Sequence, residues 1–416
     1  MFINHQISAS QQHHSQRGLS LVEIMVGVLI AMIGVVIIFQ MLATSESRKR
    51  SASAGSDTQV SGIVGITALE RDVREAGYGF SSAAFDRLPD GTAITPVMGC
   101  MVNAYDSDRP TAAYSFRLAP IQIVQGASGA SDTIIVLRGN GSTFPAAHVF
   151  TESTDTTKKT RGRAGLSPRD YALIGRTAPS VDCLLVEITE VNNDNGTCAT
   201  CIDAVTVQHK QGTYSYVTYL PNNAIQVDSR TARFNNPTPP VTFTNGFIFN
   251  LGNGARRNIW TINNNRLLVT NDLLYLDIDG TVGNDPVEVT EGVINLQAEY
   301  GIDTNNNGQI ETGEWTTTDP ATPAAWANVL AVRLAMLMRS GQYERPPSST
   351  THVTTAIPTW SGNATSPLVV TNLDASPSAA PPTSGKETDD WRNYRYRVYE
   401  TVIPLRNILW GSTIRP

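Results

Sequence analysis

From residue 19 to residue 42 the chain runs apolar with no Lys, Arg, Asp or Pro, and Glu23 is the only ionisable side chain in it. At about 1.5 Å per residue such a run, wound as a helix, crosses the roughly 30 Å hydrocarbon layer of a bilayer. The pattern predicts one transmembrane helix, since a helix satisfies its own backbone in lipid. The segment ahead of it, 1–17, is polar and holds His5, His13 and His14, which is not the basic start and apolar middle of a secretory signal. After a polar stretch at 44–58, apolar positions return at Val60, Ile63, Ile66, Leu69, Val73 and Ala76. Those spacings of three and four predict an amphipathic helix, with Glu70, Arg71, Asp72, Arg74 and Glu75 around the stripe and Gly77 and Gly79 ending it.

From residue 80 the period shortens to runs of strand type separated by Gly, Asn, Asp and Pro. The clearest are 133–137, 184–191, 204–208, 243–249, 267–270, 273–278, 293–300, 329–338 and 394–403. In the last, Tyr394, Tyr396 and Val398 alternate with Arg395 and Arg397, the signature of a half-buried strand. Residues 346–390 are rich in Pro, Ser and Thr and read as an insertion with partial disorder. The expected class is α+β: a long N-terminal helix, transmembrane and then amphipathic over 19–80, packed on a β-rich, mainly antiparallel head over 81–416.

A carboxylate inside hydrocarbon costs about 2.5 to 3.5 kcal/mol on insertion scales and usually has a partner and a function. Glu23 is the fifth residue counted from Leu19, and Gly18 stands immediately before that leucine. This coincidence of glycine, apolar helix and intramembrane acid resembles the type IV prepilins, with leucine where that family more often has phenylalanine or methionine, and with a fairly long leader. The resemblance implies a leader at 1–18, cleavage between Gly18 and Leu19, methylation of the new Leu19 amine, and a role for Glu23 in assembly by neutralising such an amine. The stretch Glu70-Arg71-Asp72-Val73-Arg74-Glu75-Ala76-Gly77-Tyr78 resembles the PilW-like minor pilins. So do the runs 293–303 and 329–337, Tyr394-Arg395-Tyr396-Arg397-Val398-Tyr399 and Leu405-Arg406-Asn407, whereas 81–291 matches only weakly.

What the resemblance implies is a minor pilin that primes or caps a type IV pilus serving adhesion or twitching motility. It would be a single-pass inner-membrane protein with an exported head, later in the fibre or at its tip on the cell surface. Its partners would be the prepilin peptidase and other minor and major pilins. A minor pseudopilin of type II secretion shares the leader and helix, and a calcium-dependent membrane-anchored surface adhesin is the reading of another class. The positive-inside rule taken alone would place Arg48, Lys49 and Arg50 in the cytoplasm; the cysteines and the strand-rich body instead favour export.

Charge and chemistry narrow the field further. A formal net charge of -6 with 16% charged residues excludes a general nucleic-acid binder. The basic stretch Lys158, Lys159, Arg161, Arg163 and Arg169 has little aromatic interleaving and reads as a solvated surface loop. His148, His209 and His352 are far apart, with no nucleophile motif or phosphate loop beside them, so no enzyme is expected. Cys100, Cys183, Cys198 and Cys201 allow three disulfide connectivities. Structural bridges are preferred over a redox or metal site, and Cys100 with Cys183 and Cys198 with Cys201 over the other pairings.

One stretch fits a calcium loop. In 303–314 oxygen side chains fall at the first, third and fifth places, Asp303, Asn305 and Asn307, glycine at the sixth, Gly308, and glutamate at the twelfth, Glu314. Gln309 would add its backbone carbonyl and Glu311 a contact through water. The competing reading is a plain hairpin about the Asn307-Gly308 turn.

Overall fold

The computed structural model describes residues 20–81, 97–140, 147–160, 162–163, 165–176, 183–193, 205–221, 224–236, 243, 245–274, 284–346 and 351–413. The chain divides into two units, Met1–Ala54 and Gly55–Pro416, and one α-helix, α1 (Leu21–Arg74), is 54 residues long. The polar stretch at 44–58 does not interrupt it. Within the first unit, 21–42 is exposed on every side and reaches a mean hydropathy of 2.9. A segment apolar and exposed all round fits a lipid surrounding.

In the second unit the head is β-rich and almost wholly antiparallel. A nine-stranded sheet has the order β2-β1-β8-β7-β13-β5-β6-β10-β9, built from β1 (Met101–Tyr105), β2 (Ala113–Arg117), β5 (His148–Ser153), β6 (Thr157–Thr160), β7 (Tyr171–Gly175), β8 (Cys183–Glu187), β9 (Glu190–Asn193), β10 (Val205–Gln208) and β13 (Gly246–Gly252). A five-stranded sheet runs β16-β15-β14-β4-β3, from β3 (Ile121–Val124), β4 (Thr133–Arg138), β14 (Arg256–Asn263), β15 (Arg266–Asn271) and β16 (Val287–Glu291). A four-stranded sheet, β18-β17-β19-β20, comprises β17 (Val293–Ile302), β18 (Trp315–Thr316), β19 (Val329–Arg339) and β20 (Tyr396–Pro404). The hairpin β11 (Thr213–Tyr219) and β12 (Ile225–Thr231) forms a sheet of two strands. Short helices α2 (Pro323–Ala327) and α3 (Arg406–Thr413) complete the fold.

The one parallel pairing among the described strands is β1 with β8, Val102 opposite Cys183. The Cys100–Cys183 disulfide closes that junction across 83 residues of sequence. A bridge of that span stabilises by about 4 to 5 kcal/mol through the unfolded chain's lost freedom. Cys198 and Cys201 lie outside the described residues.

The last five turns of α1 are the head's organising element. Leu69, Val73 and Ala76 are fully buried in a core shared with strands of all three large sheets, including Phe116, Ile134, Leu267, Leu296 and Met336. The stripe differs from the expected one at its start. Val60 and Ile63 are exposed, and Gly62 and Gly65 are the buried positions. The Tyr399 ring of β20 covers Gly62, and Thr290 and Met336 crowd Gly65, so backbone approaches side chain where any Cβ would intrude. Close packing through glycine leaves no hydrophobic signal in sequence.

The helix ends where Gly77 takes a φ of +79° and donates its N–H to Leu137 O at 2.9 Å. Asn407 of α3 donates to Ala76 O at 2.8 Å, satisfying a terminal carbonyl. The Pro/Ser/Thr-rich segment is irregular in backbone but not loose. Trp360, Leu368, Val370 and Trp391 are buried against Ala335 and Leu337 of β19, and Arg333 lies over the Trp315 and Trp360 rings. Of the strand expected at 273–278, residues 273–274 form a bend and the remainder lies outside the described residues.

Asp72 is the polar member of the buried helix stripe, 6% exposed. It accepts Asn258 Nδ2 at 3.0 and 2.9 Å, Trp260 Nε1 at 2.8 Å and Arg138 Nε at 3.0 Å. Arg138 also meets Glu75 at 2.6 Å. Asp72→Ala leaves the buried donors of Asn258 and Trp260 unpaired and leaves Arg138 with Glu75 as its remaining carboxylate, and is expected to destabilise the head by about 2 to 4 kcal/mol. Denaturation of the full chain in detergent checks this; a loss under about 1 kcal/mol, the level of an exposed ion pair, would show that the carboxylate is not a tie.

Candidate functional site

The N-terminal site is partly visible. Gly18 and Leu19 lie outside the described residues. Glu23 sits in the first turn of α1, where Ile24 N bonds Ser20 O at 3.1 Å. It is exposed among Val22, Ile24 and Val26, which are all exposed too. A carboxylate near a helix N-terminus faces the positive end of the helix dipole. A free amine at Leu19 would be the natural counter-charge in a medium that solvates neither group. Further along, in the second unit, Val60, Ile63 and Val64 stay exposed opposite the glycine face. One side of the head's helix is therefore packed and the other left apolar and open.

The second candidate lies between β17 and β18. The strands close at Gly301 opposite Trp315, so 303–314 is a twelve-residue loop instead of a two-residue Asn-Gly turn. Asp303 is 5% exposed; its carboxylate accepts Asn307 N at 3.1 Å and Gly308 N at 2.8 Å. Asn305 Oδ1 accepts Asn307 N at 3.0 Å, and Asn307 Oδ1 accepts Gln309 N at 2.8 Å. Gly308, at φ +79°, supplies the left-handed residue that the wrap needs.

Glu311 accepts the amides of Asn307 at 3.2 Å and Asn305 at 3.4 Å. Glu314 accepts Thr304 N at 2.8 Å, Thr304 Oγ1 at 2.7 Å and Glu311 N at 3.0 Å. Bonds from the Glu311 backbone and from Thr304 hold its carboxyl below the usual range. Thus three side chains curl onto the loop's inner backbone while Glu314 is turned to 304 and 311. Among the described residues no three of His, Cys, Asp and Glu converge as a metal cluster; in this loop the amide and carbonyl oxygens would have to complete the set.

The basic stretch at 158–169 is not the solvated loop expected. Lys158 is 1% exposed on β6, donating to Thr154 O at 2.7 Å and Thr157 O at 3.3 Å, with His209 Nε2 at 3.1 Å. Burial pushes the amine down to about 8, and burial with the lysine beside it pushes His209 down to about 3. Strand alternation turned this lysine inward. Arg169 lies 4.5 Å over the Tyr216 ring, while Arg161 lies outside the described residues. His148, His209 and His352 do not come together in a metal-binding group among the described residues. What sequence reasoning missed most was the hairpin β11–β12, whose Tyr214, Tyr216, Val217 and Ile225, Val227 alternate in plain view.

Residues 261–407 match the family described as Type IV Pilus-assembly protein W, and residues 13–39 match the prokaryotic N-terminal methylation motif. The first match runs from within β14 through the loop at 303–314 to Asn407, the residue that caps α1. The second holds Gly18, Leu19 and Glu23. No curated protein matches the chain. Among solved structures a type IV-like pilin from Thermus thermophilus aligns over 84% of this chain and 97% of that one, at 9% identity and a TM-score of 0.27, a likeness too slight to carry an argument. The chain is thus similar to the prokaryotic N-terminal methylation motif at the head of its exposed apolar helix and to the Type IV Pilus-assembly protein W family over 261–407.

Proposed function

We propose that the protein is a minor pilin that starts assembly of a type IV pilus or caps it. The observation that carries this is a single apolar helix, with its lone acid at Glu23, and a broad head of three large sheets gathered on that helix's last turns. A subunit repeated at every step of a fibre would have to fit that bulk between its neighbours, whereas one at an end would not. In this reading the prepilin peptidase cuts between Gly18 and Leu19 and methylates the new amine. Glu23 then neutralises the amine of a neighbouring pilin, and the open apolar edge at Val60, Ile63 and Val64 meets neighbouring helices.

Sheared pili are expected to contain this protein beginning at methylated Leu19 by mass spectrometry. Glu23→Ala should keep membrane insertion, which the change eases by about 2.5 to 3.5 kcal/mol, and lose incorporation into the fibre. Absence of the wild type from sheared pili, together with a secretion defect on its deletion, would move the protein to the type II secretion machinery. Equal recovery of mutant and wild type would remove Glu23 from assembly.

We further propose that the loop 303–314 holds a calcium ion. The three Asx-type bonds of Asp303, Asn305 and Asn307 support this, since they gather hard oxygens on the inner side of a twelve-residue loop. Gln309 would add its backbone carbonyl, Glu311 a contact through water, and Glu314 would swing from Thr304 to give two oxygens. Two Asn in place of Asp lower the ligand charge, and no helices flank the loop, so the affinity expected is on the order of 10⁻⁴ to 10⁻³ M. About 10 mM calcium would then stabilise the folded protein by roughly 1.4 to 2.7 kcal/mol, raising its melting temperature over that in chelator. Asp303→Ala with Glu314→Ala should remove the difference; wild-type melting curves that coincide with and without calcium would leave a metal-free loop.

A further inference from the structure

Among the described residues, the hairpin β11–β12 presents an edge that no other strand pairs. Its two strands make a sheet of their own among the described residues. One face is tied down: Tyr214 OH donates to the buried Glu187, Arg230 Nε meets the same carboxylate at 3.1 Å, and Arg169 covers Tyr216. The opposite face carries Ser, Thr and the apolar Val217, Ile225 and Val227, which are 49%, 65% and 67% exposed.

The register decides what the edge offers. Leu220 N bonds Ala224 O, Ala232 N bonds Gly212 O, and pairing between them is regular from Thr213 opposite Thr231 to Tyr219 opposite Ile225. Hydrogen-bonded and non-bonded pairs alternate along an antiparallel ladder. The even-numbered residues of β12 therefore bond inward to β11, and Ile225, Val227, Ser229 and Thr231 direct their N–H and C=O groups to the open side. Exposed edges are usually blunted by Lys, Pro, a bulge or a covering segment. The outward positions of β12 hold no Lys or Pro, and its register shows no bulge.

We propose that this edge pairs with β12 of a second copy of the chain, antiparallel about a two-fold axis through Ser229. Centring on Ser229 sets Ser229 against its own symmetry mate as a hydrogen-bonded pair. It sets Asp228 of each copy directly opposite Arg230 of the other, two opposite-charge pairs on the face where Arg230 Nε also meets Glu187. Centring one outward residue earlier, on Val227, sets Asp228 opposite Gln226 and forfeits both charge pairs, so charge complementarity selects the register. The product is a four-stranded sheet, β11-β12-β12-β11, with the six exposed apolar side chains of two copies on one charge-free face. A lone two-stranded hairpin is marginal in water, and four strands are not; self-complementary contact about a two-fold axis is the commonest form of closed assembly.

The test is site-directed disulfide formation in the full-length protein, both in native membranes and after purification. In the proposed register the Ser229 Cα atoms lie about 5.5 Å apart, inside the range a disulfide spans. The two Thr213 residues, on the outer strands β11 and two residues to either side of the axis, lie about 20 Å apart, three strand spacings across and four residues along. Because apolar anchor helices associate in their own right, the readout is the position-specific crosslink and not the dimer as such. Ser229→Cys is expected to give covalent dimer well above wild type and Thr213→Cys. Adding Asp228→Arg to Ser229→Cys should cut the yield about tenfold, as opposite charges become like ones. Crosslinking at Ser229 no greater than at Thr213 would overturn the proposal, as would a yield indifferent to Asp228→Arg. A Ser229→Cys adduct in membranes with the mass of a different protein would give the edge to that protein and overturn it equally.

Discussion

The Asp72 carboxylate, buried between the last turns of α1 and the five-stranded sheet, is the contact on which the position of the head's helix depends. Taking such a charge out of water costs several kcal/mol, and the attraction of one arginine does not ensure that the balance is favourable. Here Asn258, Trp260 and Arg138 all donate to it, from β14 and β4, and Arg138 reaches on to Glu75. Apolar packing of Leu69 and Val73 would tolerate small slips of the helix along the sheet; a carboxylate with fixed donors would not. The charge cluster sets the helix's rotation and height, and the glycine face at 62 and 65 sets its distance.

Those constraints explain how one helix serves two surroundings. Its first half is apolar and exposed on all sides, as lipid requires. Its second half keeps one face for the head and leaves Val60, Ile63 and Val64 open. The distinction between the halves is one of side-chain chemistry, since the backbone continues through Arg48, Lys49, Arg50 and the Ser-rich stretch without a break. Around the helix the three sheets contribute to a common core, and the Cys100–Cys183 bridge locks the junction where β1 and β8 run parallel.

Much of this was legible in the sequence, and the exceptions have physical causes. The anchor announced itself because lipid demands an uninterrupted apolar run, and long strands such as β17 and β19 because both of their faces are buried. The glycine contacts were silent, because the absence of a side chain carries no periodicity. Asp72 and Lys158 were read as solvent-facing because their partners are far away in the chain: Asn258 lies 186 residues from Asp72, and His209 51 from Lys158. Composition suggested disorder near residue 360, yet two tryptophans, Trp360 and Trp391, are enough to seat that segment on β19. The twelve-residue loop was readable in its side-chain oxygens, while the rotation of Glu314 onto Thr304 was not, since it depends on the local backbone.

The central claim is that the C-terminal part of α1 belongs to the cooperative core of the head and is not a stalk resting on it. Native-state hydrogen exchange of the full chain in detergent tests this most directly. Amides of 66–74 should open with the same free energy as those of β14 and β17, in one unit, and the Asp72→Ala change should lower all three together. Exchange of 66–74 through local openings well below the free energy of the strands, with β14 and β17 unaffected by the loss of Asp72, would contradict it.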